Sequence, residues 1–232
     1  MNINKHLILL FSVLFFLFAV SVSSGCFRKN ESDVKSVVRN ELDQLKNLDS
    51  ETTQKYIPYT ELFPDATENT DLTDEINETF SLFFRKFNYK ISDVIVGTAN
   101  HSATVSVKLT TINSKVLARD FKAELLRTQI TESAQAQKGN IKDSSRSLEA
   151  HYLILNHLLN TNDYDTAETD CNIQLVNTGN DKKEKWKIQR TNSLEDDLVG
   201  GLIADLADPD ILSPEDTLTV YLDTLQKLDL KE

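Results

Sequence analysis

The chain has 232 residues and a formal net charge of −11, with 36 Asp or Glu against 25 Lys or Arg. A nucleic-acid partner requires a basic surface, so this charge argues against nucleic acid as a partner. It argues equally against adhesion of the folded body to anionic lipid.

The first 25 residues have the three parts of a secretory signal peptide. Lys5 and the N-terminus are positive, the run LILLFSVLFFLFAVSV at 7–22 is uncharged, and Ser23, Ser24 and Gly25 are small. The apolar run is shorter than the roughly 20 residues that a membrane-spanning helix needs. Residues 1–25 are therefore predicted to be a signal peptide that is removed on export.

The sequence SSGC at 23–26 resembles the lipobox of bacterial lipoproteins, in which the cysteine sulfur is joined to diacylglycerol before the peptide is cut. The resemblance implies that Cys26 is a lipid attachment site that holds the protein on the outer face of the cytoplasmic membrane. Two C16 chains, at ~0.8 kcal/mol per buried methylene, contribute on the order of 24 kcal/mol, enough for stable anchoring. With Cys26 lipidated, Cys171 has no disulfide partner within the chain. The alternatives are an ordinary signal peptide or an uncleaved anchor with an incidental cysteine.

A polar tether is predicted at residues 26–31, followed by an amphipathic helix whose start Ser32 or Asp33 can cap. The residues of its apolar stripe recur at three- and four-residue steps: Val34, Val37, Val38, Leu42, Leu45 and Leu48. Residues 56–70 contain two prolines and are predicted to be irregular.

A second helix, capped by Asp71 or Thr73, is predicted to present one broad and mostly aromatic face. That face consists of Ile76, Phe80, Phe83, Phe84 and Phe87. An extended run at 89–96 and a turn at 100–102 then predict a hairpin. In its second strand, apolar and polar residues alternate with period two, which is typical of a strand buried on one side. The apolar members are Ala103, Val105, Val107 and Leu109.

The helical period returns after Asn113, with Leu117, Phe121, Leu125, Leu126 and Ile130. A polar break at 135–142 precedes another helix, which carries Leu148, Tyr152, Leu155 and Leu159. Two extended runs follow, at 164–176 and 185–190. In the latter, Trp186 is predicted to be buried between the sheet and the helices, with Phe83 or Phe84 as its neighbour.

Helices alternating with hairpins predict an α+β fold, a curved antiparallel sheet with helices packed on one face. Helices curled over a bent antiparallel sheet form the cystatin-like cone of nuclear-transport-factor-2-like domains. The chain is similar to a group of Gram-positive lipoproteins with such domains. They share a strand like ATVSVKLTTIN that runs into a helix, and a last strand like EKWKIQRT followed by a segment such as DDLVGGL. The resemblance covers residues 31–203 and implies no catalytic signature.

The predicted cone domain spans 32–203, and an acidic helical extension spans 204–232. Ser213 and Pro214 form a strong helix start. The helix at 214–228 is predicted to bury one apolar side, made of Leu218, Tyr221, Leu222, Leu225 and Leu228. It either docks on its own domain, which we favour, or binds a partner protein. Its LDTLQKLD echoes LDQLKNLD of the first helix, as a remnant of a second cone would, although amphipathic helices also match by chance.

No motif for nucleotide, zinc or calcium binding is present, and no cofactor or metal is predicted. His151 and His157 lie six residues apart and so fall on different helix faces. The Asn- and Asp-rich stretch at 160–165 lacks the glycine and the final glutamate of a calcium loop, so it is interpreted as a helix-ending turn.

The sequence therefore favours a non-catalytic binding or interaction module anchored to the membrane. The alternative is an isomerase- or dehydratase-type enzyme that uses the cone pocket, since such enzymes pair an acid or base with a tyrosine. Its candidate residues are Tyr89, Asp93, His101, Tyr152 and His151. Convergent titratable groups in a pocket would favour the enzyme. A pocket filled by the phenylalanines and Trp186 would favour the module.

Overall fold

The computed structural model describes residues 30–48, 50–56, 62–64, 66, 72–97, 101–137, 145–179 and 184–229. The predicted signal peptide at 1–25 and the predicted lipid attachment site Cys26 lie outside these residues. None of the described helices is long and apolar enough to cross a membrane.

The described chain contains both helices and strands. Helix α1 covers residues 30–46. It is followed by α2 (Ser50–Tyr56), α3 (Thr73–Phe84), α4 (Ser114–Gln137), α5 (Leu148–Thr161), α6 (Asn192–Leu198), α7 (Leu202–Ala207) and α8 (Pro214–Asp229). The strands are β1 (Asn88–Val96), β2 (Ser102–Ile112), β3 (Thr166–Asn177) and β4 (Trp186–Ile188). They form a curved, open antiparallel sheet in the order β1-β2-β3-β4, and this confirms the predicted α+β class.

The alternation predicted for β2 is confirmed. Its four apolar residues, Ala103, Val105, Val107 and Leu109, are all buried. The intervening side chains of β2 meet those of β3: Thr104 bonds Gln174 at 3.0 Å and Ser106 bonds Asn172 at 2.9 Å. One face of this strand pair is therefore apolar and the other carries polar cross-strand pairs.

Contacts divide the chain into two compact units that interleave along the sequence. The first comprises 1–40, 91–106 and 172–189, and it includes Trp186, which is buried as predicted. The indole nitrogen of Trp186 donates to Glu184 at 3.2 Å. Phe83 and Phe84 fall in the other unit, so their predicted proximity to Trp186 stays a prediction.

The second unit comprises 41–90, 107–171 and 190–232. The aromatic face predicted for α3 is buried there, and Phe84 packs edge-on against Phe83 and Phe87 at 5.5 and 5.3 Å between ring centroids. Helix α3 contacts α5, where the buried Thr79 hydroxyl donates to the buried Asn156 side chain. Apolar packing and one satisfied polar pair thus join these two helices.

Two predictions about helix starts are wrong, and one helix was not predicted. Residues 30 and 31, the end of the predicted tether, are already helical, so neither Ser32 nor Asp33 caps α1. The N-cap of α3 is Leu72, which makes no side-chain capping bond. A further helix, α2, occupies residues that carried no helical signal, and only its last residue falls in the region predicted to be irregular.

The predicted start of α8 is confirmed, since Ser213 Oγ accepts from the Asp216 amide at 3.1 Å. The predicted buried face is wrong. Helix α8 contacts α4, but its buried side chains are Val220 and Thr224, one turn apart. The apolar stripe beside them is largely exposed: Leu218 is 58%, Tyr221 46% and Leu222 55% accessible, whereas Leu225 and Leu228 are half-buried.

Candidate ligand-binding pocket

A pocket of about 640 Å³ lies within the second unit, in the size range of small-molecule sites. Its walls come from four places in the sequence: residues 62–64 with 66, helix α4, the start of α5 with the turn before it, and helix α7. The lining residues are Leu62, Phe63, Pro64, Ala66, Phe121, Lys122, Leu125, Gln129, Ser145, Arg146, His151, Ile203, Leu206 and Ala207.

Helical spacing explains the wall that α4 contributes. Phe121 and Leu125 are one turn apart, while Lys122 and Gln129 are two turns apart on the adjacent line. Phe121 is buried, and Leu125 and Lys122 are half-buried. The helix therefore offers an apolar surface with a cation at its edge, whose aliphatic stem can cover apolar surface while its charge reaches water.

The start of α5 places His151 in the pocket wall. Ser147 caps the helix by accepting from the Ala150 amide at 3.1 Å, so His151 falls in the first turn. Its ring packs 4.8 Å from that of Phe63 and 5.7 Å from that of Phe121, and these two phenylalanines stack at 5.1 Å. The imidazole thus packs against two aromatic rings that also pack against each other.

This environment favours the neutral form of the His151 imidazole. Burial lowers the pKa of the imidazole, the positive charge of Lys122 lowers it further, and a hydrogen bond with the Ser145 backbone acts in the opposite direction. Among the described residues, none bonds the buried Nδ1 of His151. A neutral histidine with one unpaired nitrogen is therefore part of the lining.

The turn between α6 and α7 positions the last wall. Gly200 and Gly201 have φ of +65° and +89°, a conformation that favours glycine. Asp196 Oδ1 accepts from the amides of Ile203 and Ala204 at 2.9 and 3.2 Å and so caps α7. The hydroxyl of Ser114, the first residue of α4, lies 2.5 Å from the Gly200 carbonyl oxygen. The start of α7 is thereby attached to the start of α4.

The proposed enzyme residues do not converge. Tyr89 donates to Asp43 at 2.6 Å, Asp93 lies in a polar groove beside α1, and His101 is exposed in the turn before β2. Tyr152 is fully buried and meets Phe63 edge-on at 5.5 Å. Of the five candidates, His151 alone is among the described residues that line the pocket.

The phenylalanines of α3 and Trp186 are buried, but none is among the described lining residues, so they do not fill this pocket. Lys122, Arg146 and Phe63 also line the pocket, and none of them was predicted from the sequence to be functional. Lys122 follows Phe121 in an otherwise ordinary amphipathic helix, where a lysine beside the apolar stripe is typical of a solvated edge. No feature of the neighbouring sequence distinguishes Lys122 from such a surface lysine.

The described residues contain no group of three or more His, Cys, Asp or Glu that could hold a metal ion. Cys171 is buried, and burial together with the nearby Asp197 raises the pKa of its thiol to about 12. It therefore remains a protonated thiol at neutral pH, unsuited to nucleophilic attack. Comparisons with protein-family models, curated proteins and solved structures find no match to this chain.

Proposed function

We propose that the protein is a lipid-anchored, extracytoplasmic binding module whose α4–α5–α7 pocket takes a small molecule. The pocket is the observation that carries the proposal, because it combines the size of a ligand site with mainly apolar walls and few polar groups. The curved antiparallel sheet with helices is compatible with the nuclear-transport-factor-2-like cone implied by the sequence resemblance. That family assignment is part of the proposal.

The anchor is tested at Cys26. If the cysteine carries diacylglycerol, the protein partitions into the detergent phase and incorporates labelled palmitate, and Cys26→Ala abolishes both. The matched control is Cys171→Ala, because the buried Cys171 should not be lipidated and its variant should keep the label. Label that persists in Cys26→Ala, or an unmodified mature N-terminus at another residue, would contradict the anchor.

Binding is tested with eight-carbon probes on the full chain in nanodiscs of zwitterionic lipid, with empty discs as the blank. Isothermal calorimetry is carried out with octanoate, octanamide and octylammonium. Leu125→Trp places an indole in the pocket and should abolish binding of every probe that the native protein binds. Leu153→Trp is the matched control, because Leu153 is an exposed residue of α5 outside the lining. Binding that survives Leu125→Trp, or no binding of any probe, would refute the pocket function.

The enzyme is the second candidate, and the neutral imidazole of His151 with its unpaired Nδ1 favours it, since such a group can act as a general base. The buried Tyr152 and the absence of a carboxylate among the described lining residues favour the binding module. Mass spectrometry of a bound probe after long incubation distinguishes the enzyme from the binding module. A new product that His151→Gln no longer forms would support the enzyme.

The exposed stripe of α8 supports an additional interaction role. Leu218, Tyr221 and Leu222 share one side of the helix, and the exposed Glu215 and Asp223 lie along one edge of it. A basic amphipathic helix is the partner that this combination fits. Leu222→Glu should then reduce partner binding without loss of stability, since Leu222 is 55% accessible in the folded chain.

A further inference from the structure

The charged residues in the wall of the pocket have the sign opposite to that of the whole chain. Acidic residues outnumber basic ones by 36 to 25, yet the described lining contains Lys122 and Arg146 and neither Asp nor Glu. Lys122 is half-buried on α4, and its charge already acts on His151. Arg146 is exposed in the turn before α5. The two charged residues of the described lining are therefore both positive.

Three acidic residues on the same elements have partners other than Lys122. Glu124 pairs with Arg127 at 2.8 Å, and Glu132 accepts from the Ser145 amide at 3.2 Å. Asp205 of α7 accepts from the Ser114 hydroxyl at 2.7 Å. These three carboxylates thus have partners of their own, and Lys122 contributes its positive charge to the pocket wall.

The remaining lining requires an apolar ligand body. Leu62, Phe63, Phe121 and Leu206 are buried, and together with Leu125 they form one apolar surface. Placing hydrocarbon against this surface removes water from both the pocket wall and the ligand, which favours an alkyl or aryl group. A fully hydrophilic anion would pair with the cation but would leave the apolar surface exposed to water.

We propose that the pocket binds an anionic amphiphile, a molecule with an apolar body and a carboxylate head, and that Lys122 is its main specificity-determining residue. The head lies at Lys122, and the body lies against Phe63, Leu125 and Leu206. This inference rests on the proposed binding function and adds the chemical class of the ligand.

The three eight-carbon probes test the class, because they share one body and differ in the charge of the head. Octanoate should bind more tightly than octanamide, and octylammonium should bind least. Lys122→Gln should weaken octanoate about tenfold, the low end of what a hydrogen bond to a charged group contributes, and octanamide less than about twofold. Lys115→Gln is the matched control, an equal charge change at an exposed position of α4 outside the lining, and should leave all three probes unchanged.

Lys122→Arg should retain most of the octanoate affinity, because the charge is kept. Equal binding of octanoate and octanamide, both lost in Leu125→Trp, would overturn the preference for an anion while leaving the pocket function intact. Equal weakening by Lys122→Gln and Lys115→Gln would show a general charge effect and would also overturn the role of Lys122. Failure of all three probes would refute the pocket function together with this inference.

Discussion

Replacing Gly200 with alanine tests how the wall formed by α7 is held. Gly200 has φ +65°, and a Cβ built on it would lie 2.2 Å from Thr111 Oγ1 and 3.2 Å from Thr111 Cβ. The left-handed conformation alone costs an ordinary residue about 1–2 kcal/mol. Relief of an overlap in a packed interior typically costs about 1–3 kcal/mol more. Gly200→Ala should therefore lower the free energy of unfolding by about 2–5 kcal/mol.

Gly201→Ala separates the two contributions. Gly201 also has a positive φ, +89°, but its added Cβ would meet only Ser114 Oγ at 3.8 Å and Asp205 Oδ2 at 3.9 Å, which are ordinary contacts. This variant should lose about 1–2 kcal/mol, the backbone cost alone. Thr111→Ala removes the overlapping oxygen, so adding it to Gly200→Ala should recover part of the stability lost in that single variant.

Denaturant unfolding of the full chain, followed by far-UV circular dichroism, measures the free energy of unfolding. It is carried out on the native protein, Gly200→Ala, Gly201→Ala and the double variant Gly200→Ala with Thr111→Ala. Because Gly200 lies two residues before the helix that carries Ile203 and Leu206, Gly200→Ala should also weaken octanoate binding. If Gly200→Ala is no less stable than Gly201→Ala, the overlap with Thr111 does not exist. If the double variant shows no recovery, Thr111 is not the residue that opposes the new Cβ.

Three further predictions address other parts of the fold. Trp186→Ala should lower the unfolding free energy by about 3–5 kcal/mol, because a large side chain that is 7% exposed leaves a cavity; a native emission spectrum typical of a fully hydrated indole would contradict its burial. The pKa of His151 is lowered on folding, so the unfolded chain binds more protons than the folded chain as pH falls. The contribution of His151 to stability is therefore complete above the ordinary histidine pKa and is lost as pH falls below it. His151→Gln should therefore reduce the change of melting temperature with pH between about pH 7 and 5. An unchanged slope of melting temperature against pH would assign the pH dependence to other groups. Deletion of 208–232 should lower the melting temperature and increase ANS binding, because α8 contacts α4 and buries Val220; unchanged melting with loss of a bound partner would make the tail purely an interaction element.

Local periodicity predicted the elements whose environment is decided by one strong pattern. The alternation of β2 and the aromatic face of α3 each allow one orientation only, since any other would leave several large apolar groups in water. Both predictions are confirmed by the burial of Val105, Leu109, Phe80 and Phe84. The start of α8 was predictable for a similar reason, because the cap at Ser213 depends only on neighbouring residues.

The pocket was not predictable, because its walls meet only in the folded chain. Phe63, Lys122, His151 and Leu206 are separated by up to 143 positions in sequence (206 − 63 = 143), and no motif links them. His151 is a candidate because an imidazole can act as a base, but the same criterion also selects His101 and Asp93, which the structure places elsewhere. Residue type indicates which side chains could take part in a reaction, whereas tertiary packing determines which of them lie in the same pocket.

Helix α8 shows where the hydrophobic pattern gives the wrong answer and what this implies. The most apolar side of the helix was predicted to face its own domain, yet α8 meets α4 through the narrower Val220 and Thr224 pair. A small β-branched pair permits close approach of two helices, whereas Leu218 and Tyr221 would hold them apart. The exposed stripe is the kind of patch that soluble proteins usually cover, so it favours a partner on that side. Docking on α4 and binding of a partner are thus compatible, because different sides of the same helix serve them.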